Sequence, residues 1–171
     1  MRRLALLAVA LCACAGIRDA LAPAPVGKPS GRGGWLVYEL RELRFEVPAT
    51  WHPSGGERRV AFESPDEMAR LEASHPEREL VDERACLAEA DEKLRQQAGA
   101  FERARRHPTR VAGHPAQALE GDQGGWHVWA FAICDGGVQY RLFFTAASPA
   151  SPEALEAYRA LVETARIGGQ A

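Results

Sequence analysis

The fold of this chain is decided by residues 126–134, which read WHVWAFAIC. Because side chains alternate between the two faces of a strand, this segment presents two sets of side chains. One set is Trp126, Val128, Ala130, Ala132 and Cys134, and the other is His127, Trp129, Phe131 and Ile133. Both sets are apolar apart from His127, which is typical of a strand buried on both faces. We therefore predict a central strand that packed elements cover on each side.

Further strands are predicted on both sides of this segment along the chain. Residues 138–146 follow it after the turn sequence Asp135-Gly136-Gly137, and this predicts an antiparallel hairpin. Upstream, turn residues separate alternating segments that we interpret as strands at 35–40, 43–47, 59–63, 69–73, 109–112 and 116–120. Short strands joined by short turns predict an antiparallel sheet.

Two helices complete the predicted domain. Four apolar side chains recur every seven residues: Leu80, Leu87, Leu94 and Phe101. With the good helix formers between them, they predict a long helix over residues 80–106, which Pro108 ends. Ser151 followed by Pro152 is typical of a helix start, and this second helix is expected to end near Ile167. The expected fold class is α+β, an antiparallel sheet with helices on both faces.

The first residues resemble the signal peptide of a bacterial lipoprotein. Two arginines precede the apolar segment LALLAVAL, residues 4–11, which is too short to span a bilayer as a helix. The sequence LCAC at residues 11–14 resembles a lipobox, with a small residue directly before the acceptor Cys14. The resemblance implies lipidation of Cys14. The alternative is plain secretion with cleavage near Ala20 or Ala22.

These features divide the chain into a signal peptide (1–13), a lipid-anchored flexible linker (14–34) and a single α+β domain (35–171). The linker is rich in proline, glycine and small residues and has no apolar period. Ala15 differs from the aspartate that retains lipoproteins in the inner membrane, so the resemblance implies the outer membrane, facing the periplasm. We therefore expect a cell-envelope protein that contacts the membrane through its lipid.

The start of the domain resembles PsbP-like domains. Residues 43–51 read LRFEVPATW and contain the pattern F-x-x-P-x-x-W from Phe45 to Trp51. The order of the predicted elements over about residues 35–167 is also similar. The resemblance implies an α/β/α sandwich. Because members of this family differ in partner, it implies a fold and not an activity.

Composition and charge exclude several classes of protein. A chain with 46% hydrophobic and 26% charged residues is typical of a globular domain and not of a disordered or multi-pass membrane protein. A net charge of −2 gives no reason to expect nucleic acid as a partner. One basic cluster is present: Arg103, Arg105, Arg106 and Arg110. We interpret it as cations at the C-terminal end of the long helix, with nucleic-acid binding or docking onto an acidic partner as alternatives.

The sequence contains no recognised catalytic motif. No two of its five histidines have the i,i+4 spacing of metal ligands on a helix, so we expect exposed histidines in loops or at strand ends. Cys86 and Cys134 remain in the mature domain, and in an exported protein such a pair predicts a disulfide. A reactive thiol at Cys86, near a helix N-terminus, is the alternative. We expect no metal, no cofactor and no enzymatic activity.

The function predicted from these features is that of a non-enzymatic envelope lipoprotein whose domain binds another envelope component, which we expect to be a protein. One alternative is a carrier of a small apolar ligand, in a pocket lined by Trp126, Trp129 and Phe131. The other is a lipid-anchored enzyme whose site the sequence does not reveal. A flat apolar patch would favour the binder, and a cleft with converging polar side chains would favour the enzyme.

Lipidation at Cys14 is the first testable prediction. Mass spectrometry of the mature N-terminal peptide should show acyl mass on Cys14, because the lipobox directs both acylation and cleavage at that residue. The Cys14→Ala variant should lose this mass and leave the membrane fraction. An unmodified peptide that begins beyond Ala15 would contradict the prediction.

Overall fold

The computed structural model describes residues 24–76 and 78–168. In this part of the chain it contains two helices and eleven strands. The helices are α1 (Glu83–Ala98) and α2 (Pro152–Thr164). The strands are β1 (Lys28–Pro29), β2 (Trp35–Leu40), β3 (Leu43–Pro48), β4 (His52–Gly55), β5 (Arg59–Glu63), β6 (Ala69–Ser74), β7 (Glu102–Val111), β8 (His114–Gln123), β9 (Trp126–Asp135), β10 (Val138–Ala147) and β11 (Arg166–Ile167).

The strands form two antiparallel sheets. The large sheet has seven strands in the order β4-β5-β6-β10-β9-β8-β7, and the small sheet has four in the order β1-β2-β3-β11. The predicted hairpin of β9 and β10 is confirmed, with pairing that extends from Trp126 opposite Ala147 to Asp135 opposite Val138. β9 therefore lies inside the large sheet, between β10 and β8.

Both faces of β9 are covered, as the alternation in its sequence predicts. On one face, Ala130 and Ala132 pack with Ala90 and Leu94 of α1. On the other face, its side chains belong to a larger core that includes α2 and the small sheet. The α+β class is confirmed, with α1 and α2 on opposite faces of the large sheet.

Aromatic contacts join the small sheet to the large one. The Phe62 ring of β5 lies 4.4 Å from the Tyr38 ring of β2 and 5.9 Å from the Phe45 ring of β3. All three side chains are buried. Edge-to-face contacts of this kind stabilise beyond the area they bury, by about 0.5–1.5 kcal/mol a pair. Phe45, the first residue of the F-x-x-P-x-x-W pattern, is thus a core residue.

The predicted helix over residues 80–106 is too long, and it is wrong before Glu83 and after Ala98. α1 ends at Ala98, and the chain then turns through hydrogen bonds from Ala100 N to Gln97 O and from Phe101 N to Ala98 O. Residues that favour helices locally are instead placed in β7 by pairing with β8. Pro108 lies within β7 because that strand is at the edge of the sheet, where a missing N–H is tolerated.

The basic cluster consequently lies on an edge strand, and its interpretation as cations at a helix C-terminus is wrong. Arg103 contacts Asp122 at 2.7 Å, and Arg106 contacts Asp91 of α1 at 2.7 Å. Arg110 donates to the Gly113 carbonyl oxygen at 2.7 Å. Charged side chains on an edge strand also disfavour pairing with other chains.

Part of the segment interpreted as a linker belongs to the small sheet. Lys28 and Pro29 pair with Val37 and Leu36 of β2. Gly27 permits this approach, because a Cβ at that position would lie 2.7 Å from Tyr38 Cζ. This segment has no apolar period because its contacts with β2 are made by backbone atoms and by Gly27. The helix α2 ends at Thr164, before its predicted end near Ile167. Arg166–Ile167 pairs with β3 instead.

A disulfide joins α1 to the end of β9. Cys86 and Cys134 are bonded, their Cα atoms are 5.9 Å apart, and both residues are completely buried. The long helix therefore has its N-terminal end over the turn between β9 and β10. Gly137 in that turn lies directly against the backbone of Leu80, where a Cβ would overlap the Leu80 carbonyl oxygen.

Removing this disulfide should destabilise the protein clearly. The bond closes a loop with a sequence separation of 48 residues, for which the loop-entropy model gives about 4 kcal/mol. We expect Cys86→Ala/Cys134→Ala to lower the Tm by roughly 10 °C in a thermal melt.

The control for this prediction is reduction of the wild-type protein. Reductant should bring the wild-type Tm close to that of the double variant and leave the variant unchanged. A wild-type Tm that does not respond to full reduction, verified by thiol labelling, would contradict it.

Candidate functional site

A cleft of about 450 Å³ opens where the end of β3, the β5–β6 turn and the start of α2 meet. We call it the tryptophan cleft. Its apolar wall consists of Trp35, Pro48, Trp51, Pro65 and Met68. Carboxylates at its rim come from Asp66, Glu153 and Glu156. The remaining lining residues are Thr50, Ser64, Ala69, Ser151 and Ala154.

The turn after β3 fixes Trp51 in one wall of the cleft. Pro48 ends the strand, and Trp51 N donates to the Pro48 carbonyl oxygen at 3.0 Å. This tight turn directs the indole inward, where it is 7% exposed and lies 5.9 Å from the Phe144 ring of β10. The proline and tryptophan of the F-x-x-P-x-x-W pattern thus build one side of the cleft.

The β5–β6 turn forms the opposite side. Ser64 Oγ donates to Asp66 Oδ1 at 2.6 Å, and Met68 N donates to the same oxygen at 3.1 Å. The hydrogen bond from Ser64, followed by that from Met68, lowers the pKa of Asp66 below its ordinary value. The turn therefore presents an ionised carboxylate beside the Met68 side chain, which is 48% exposed.

An arginine of the same chain already lies against the edge of the cleft. The Arg32 guanidinium is 4.2 Å from the centroid of the Trp35 ring, and its Nη2 is 2.6 Å from Glu156 Oε1. The position of Glu156 is fixed by α2, whose start is capped by Ser151 Oγ accepting from Ala154 N. Cation–π stacking and ion pairing act together here. The edge of the cleft is therefore suited to bind a guanidinium.

The three aromatic residues predicted as a binding site are not brought together. The Trp129 ring stacks on the Tyr158 ring of α2 at 4.5 Å, and the Phe131 ring lies 6.4 Å from Tyr158. Trp126, three positions before Trp129 on the same strand, lies on the opposite face of the sheet. Trp129 and Phe131 pack against Tyr158 of α2 and do not form a pocket with Trp126.

The predicted cysteines have different outcomes. Cys14 lies outside the described residues. The bond between Cys86 and Cys134 leaves no free thiol at Cys86, which removes the reactive-thiol alternative. Neither α1 nor α2, the helices of residues 24–76 and 78–168, has the length and apolarity needed to cross a bilayer.

His127 is half-buried in a polar network, whereas the sequence analysis predicts exposed histidines. Its Nδ1 lies 2.8 Å from Asp122 Oδ1, and its Nε2 lies 3.2 Å from Glu120 Oε1. The hydrogen bond with His127, and then the charge of Arg103, lowers the pKa of Asp122. The network links β7, β8 and β9.

Within the described part of the chain, no group of three or more His, Cys, Asp or Glu side chains has the arrangement of a metal site.

Comparison with known proteins rests on structure. No family model matches the sequence, and neither does any curated protein. Cyanobacterial PsbP (CyanoP) from Synechocystis sp. PCC 6803 is similar in solution structure, with a TM-score of 0.54, 12% identity, and coverage of 84% of this chain and 99% of that one. The chain has a PsbP-like fold.

Two further structures are similar. A protein from Bacteroides thetaiotaomicron has a TM-score of 0.52 and 11% identity over 75% of this chain, which spans 46% of that protein's length. LpqN of Mycobacterium tuberculosis, described as involved in cell envelope biogenesis, has a TM-score of 0.38 and 13% identity, and the match covers 85% of this chain and 90% of LpqN. At 11% and 12% identity, the two structures with TM-scores above 0.5 establish a fold and not an activity.

The tryptophan cleft was missed in the sequence because its walls come from three separated segments. The available signal was the tryptophan three residues after Pro48, which the sequence analysis used only as evidence of a fold. Met68 was a second signal, because it is an apolar residue that lies between the predicted strands 59–63 and 69–73 and belongs to neither.

Proposed function

We propose that this protein is a non-enzymatic envelope lipoprotein that binds a partner protein through the tryptophan cleft. The observation that carries the proposal is the combination, in one concave site, of an exposed methionine, two tryptophans and three carboxylates. The chemistry of the site favours a partner segment that carries an arginine or lysine beside an apolar side chain. Such a segment would place its apolar side chain against Trp51 and Met68.

The apolar wall supports this proposal. Tryptophan and methionine are enriched at the centres of protein interfaces, where they bury large areas in well-packed contacts. Met68 adapts readily to different partner side chains because its side chain is unbranched and flexible. The volume of about 450 Å³ is within the ordinary range of binding pockets, roughly 300–1,000 Å³. It accommodates an anchoring side chain and parts of its neighbours.

The charge at the rim supports a basic partner. The residues that line the cleft include three carboxylates and no lysine or arginine, and Glu156 is the one that Arg32 pairs with at the edge. The contact of Arg32 with Trp35 and Glu156 illustrates how a guanidinium binds at this edge. Complementary charge mainly raises the association rate and selects among partners, and exposed ion pairs each contribute about 1 kcal/mol or less. The apolar wall is therefore expected to supply most of the affinity.

The lipid would set where this binding occurs. The segment after Cys14 leads to Arg32, which lies at the edge of the cleft. The cleft is therefore beside the chain that runs to the proposed anchor. We place the protein in the outer membrane, facing the periplasm, on the basis of the lipobox and of Ala15 after the acceptor cysteine.

Site-specific photocrosslinking in intact cells tests the proposal. A photoreactive amino acid at position 68 should form an adduct with one protein. The same probe at Val81, another exposed apolar residue (96% exposed), lies outside the cleft and should not form that adduct. Cys14→Ala should reduce the adduct by releasing the protein from the membrane.

A charge variant distinguishes binding in the cleft from chance proximity. Glu153→Gln/Glu156→Gln removes two rim carboxylates, of which Glu156 is already paired with Arg32, and should reduce the adduct about fivefold, from one exposed ion pair of at most about 1 kcal/mol. Glu163→Gln, also exposed on α2 but away from the cleft, is the matched control and should have no effect. Equal adducts at positions 68 and 81, or an adduct that the double variant leaves unchanged, would refute the proposal.

A further inference from the structure

A second cavity lies on the other side of the large sheet, between α1 and strands β6, β9 and β10. Its volume is about 280 Å³. We call it the Gln139 cavity. Its apolar lining includes Ala90, Leu94, Ala130, Ala132 and Phe143. Its polar lining residues are Glu72, Ser74, Lys93, Gln97, Gln139 and Arg141.

The cavity exists because α1 does not cover the whole sheet. The helix packs mainly on β8 and β9 and has fewer contacts with β10. In register, Gln139, Arg141 and Phe143 of β10 lie opposite Cys134, Ala132 and Ala130 of β9. Alanines on the helix and on β9 leave space between the two elements, and the side chains of β10 form the flank of that space.

Gln139, which lines this cavity, carries an unsatisfied hydrogen-bond donor. The residue is 2% exposed, and its Oε1 accepts from Arg141 Nε at 2.8 Å. Its Nε2 has no hydrogen-bond partner among the described residues. Because Nε of arginine only donates, the amide oxygen must face Arg141, and the unpaired group is the NH₂. A buried donor without an acceptor is unfavourable, so the site is suited to a ligand that brings an acceptor.

The charges around the cavity favour an anionic acceptor. Lys93 is paired with Glu89 on α1, and Glu72 contacts Arg59 at 2.6 Å and Arg70 at 4.0 Å. Arg141 donates from its Nε to Gln139 Oε1. Its positive charge contributes to lowering the pKa of Glu89 without a hydrogen bond to that residue. An arginine next to an unpaired amide NH₂ matches the two oxygens of a carboxylate.

We propose that the Gln139 cavity binds a small apolar carboxylic acid, of the class of a medium-chain fatty acid. The carboxylate accepts hydrogen bonds from Gln139 Nε2 and the Arg141 guanidinium. The hydrocarbon chain lies against Leu94 and Phe143. The volume of about 280 Å³ is at the lower end of ligand pockets, which excludes long-chain acids as full occupants. The disulfide at Cys134, opposite Gln139 in the sheet, fixes this end of the cavity in the absence of ligand.

Titration with octanoate tests this proposal, using the mature chain from residue 14 with Cys14→Ala so that no detergent is needed. In ¹⁵N–¹H spectra, the side-chain NH₂ signal of Gln139 and the Nε–H signal of Arg141 should shift on titration. Octanoate should bind at least about tenfold more tightly than octan-1-ol, which lacks the charge, because hydrogen bonds to ionised groups are the stronger ones. Octylamine and hexadecanoate should bind more weakly than octanoate.

Gln139→Leu separates ligand binding from a structural role. It removes the unpaired NH₂ while keeping a similar side-chain volume, so octanoate affinity should fall about tenfold or more and the Tm should not decrease. Gln123→Leu, on β8 outside the cavity, is the control and should bind octanoate like the wild type.

Three results would overturn the proposal: octanoate binding no tighter than octan-1-ol, shifts that map to the tryptophan cleft instead of Gln139, or unchanged affinity in Gln139→Leu. The wild-type spectra decide the question even if the variant does not fold. The proposal is independent of the partner protein, so neither test depends on the outcome of the other.

Discussion

Burial of both faces of β9 is the constraint on which the rest of this structure depends. A strand with apolar side chains on each face requires a cover on each side, and the chain supplies α1 for one face and α2 with the small sheet for the other. β10 and β8 satisfy its backbone on the two edges. The disulfide then joins α1 to the end of β9.

The two covers are incomplete in different ways, and each leaves a concave site with its own chemistry. On one side, the start of α2 meets the β5–β6 turn and leaves an acidic cleft walled by tryptophan and methionine. On the other side, α1 leaves part of β10 uncovered, and a buried amide and an arginine face the remaining space. The first site suits a basic, apolar protein segment and the second a small anionic amphiphile. The lipid anchor that we propose would hold the protein at a membrane surface, where both kinds of partner are present.

Local sequence predicted the features that depend on local rules. The alternation in residues 126–134, the turn at Gly136 and the cap at Ser151 all specify structure within a few residues, and these predictions are confirmed. Residues 102–106 favour a helix locally, yet pairing with β8 places them in a strand, so tertiary contacts override propensity there. The cleft and the unpaired Gln139 amide could not be predicted, because each depends on burial and on neighbours from distant parts of the chain.

Native-state hydrogen exchange tests the central role of β9 most directly. Amides in the middle of β9 and β10 should exchange only through global unfolding and should be the slowest in the molecule. After reduction of the disulfide, α1 amides should exchange faster while α2 amides keep their protection, because the two helices pack on opposite faces of the sheet. Exchange in β9 as fast as in the edge strand β7, or loss of protection in α2 in step with α1, would contradict this account.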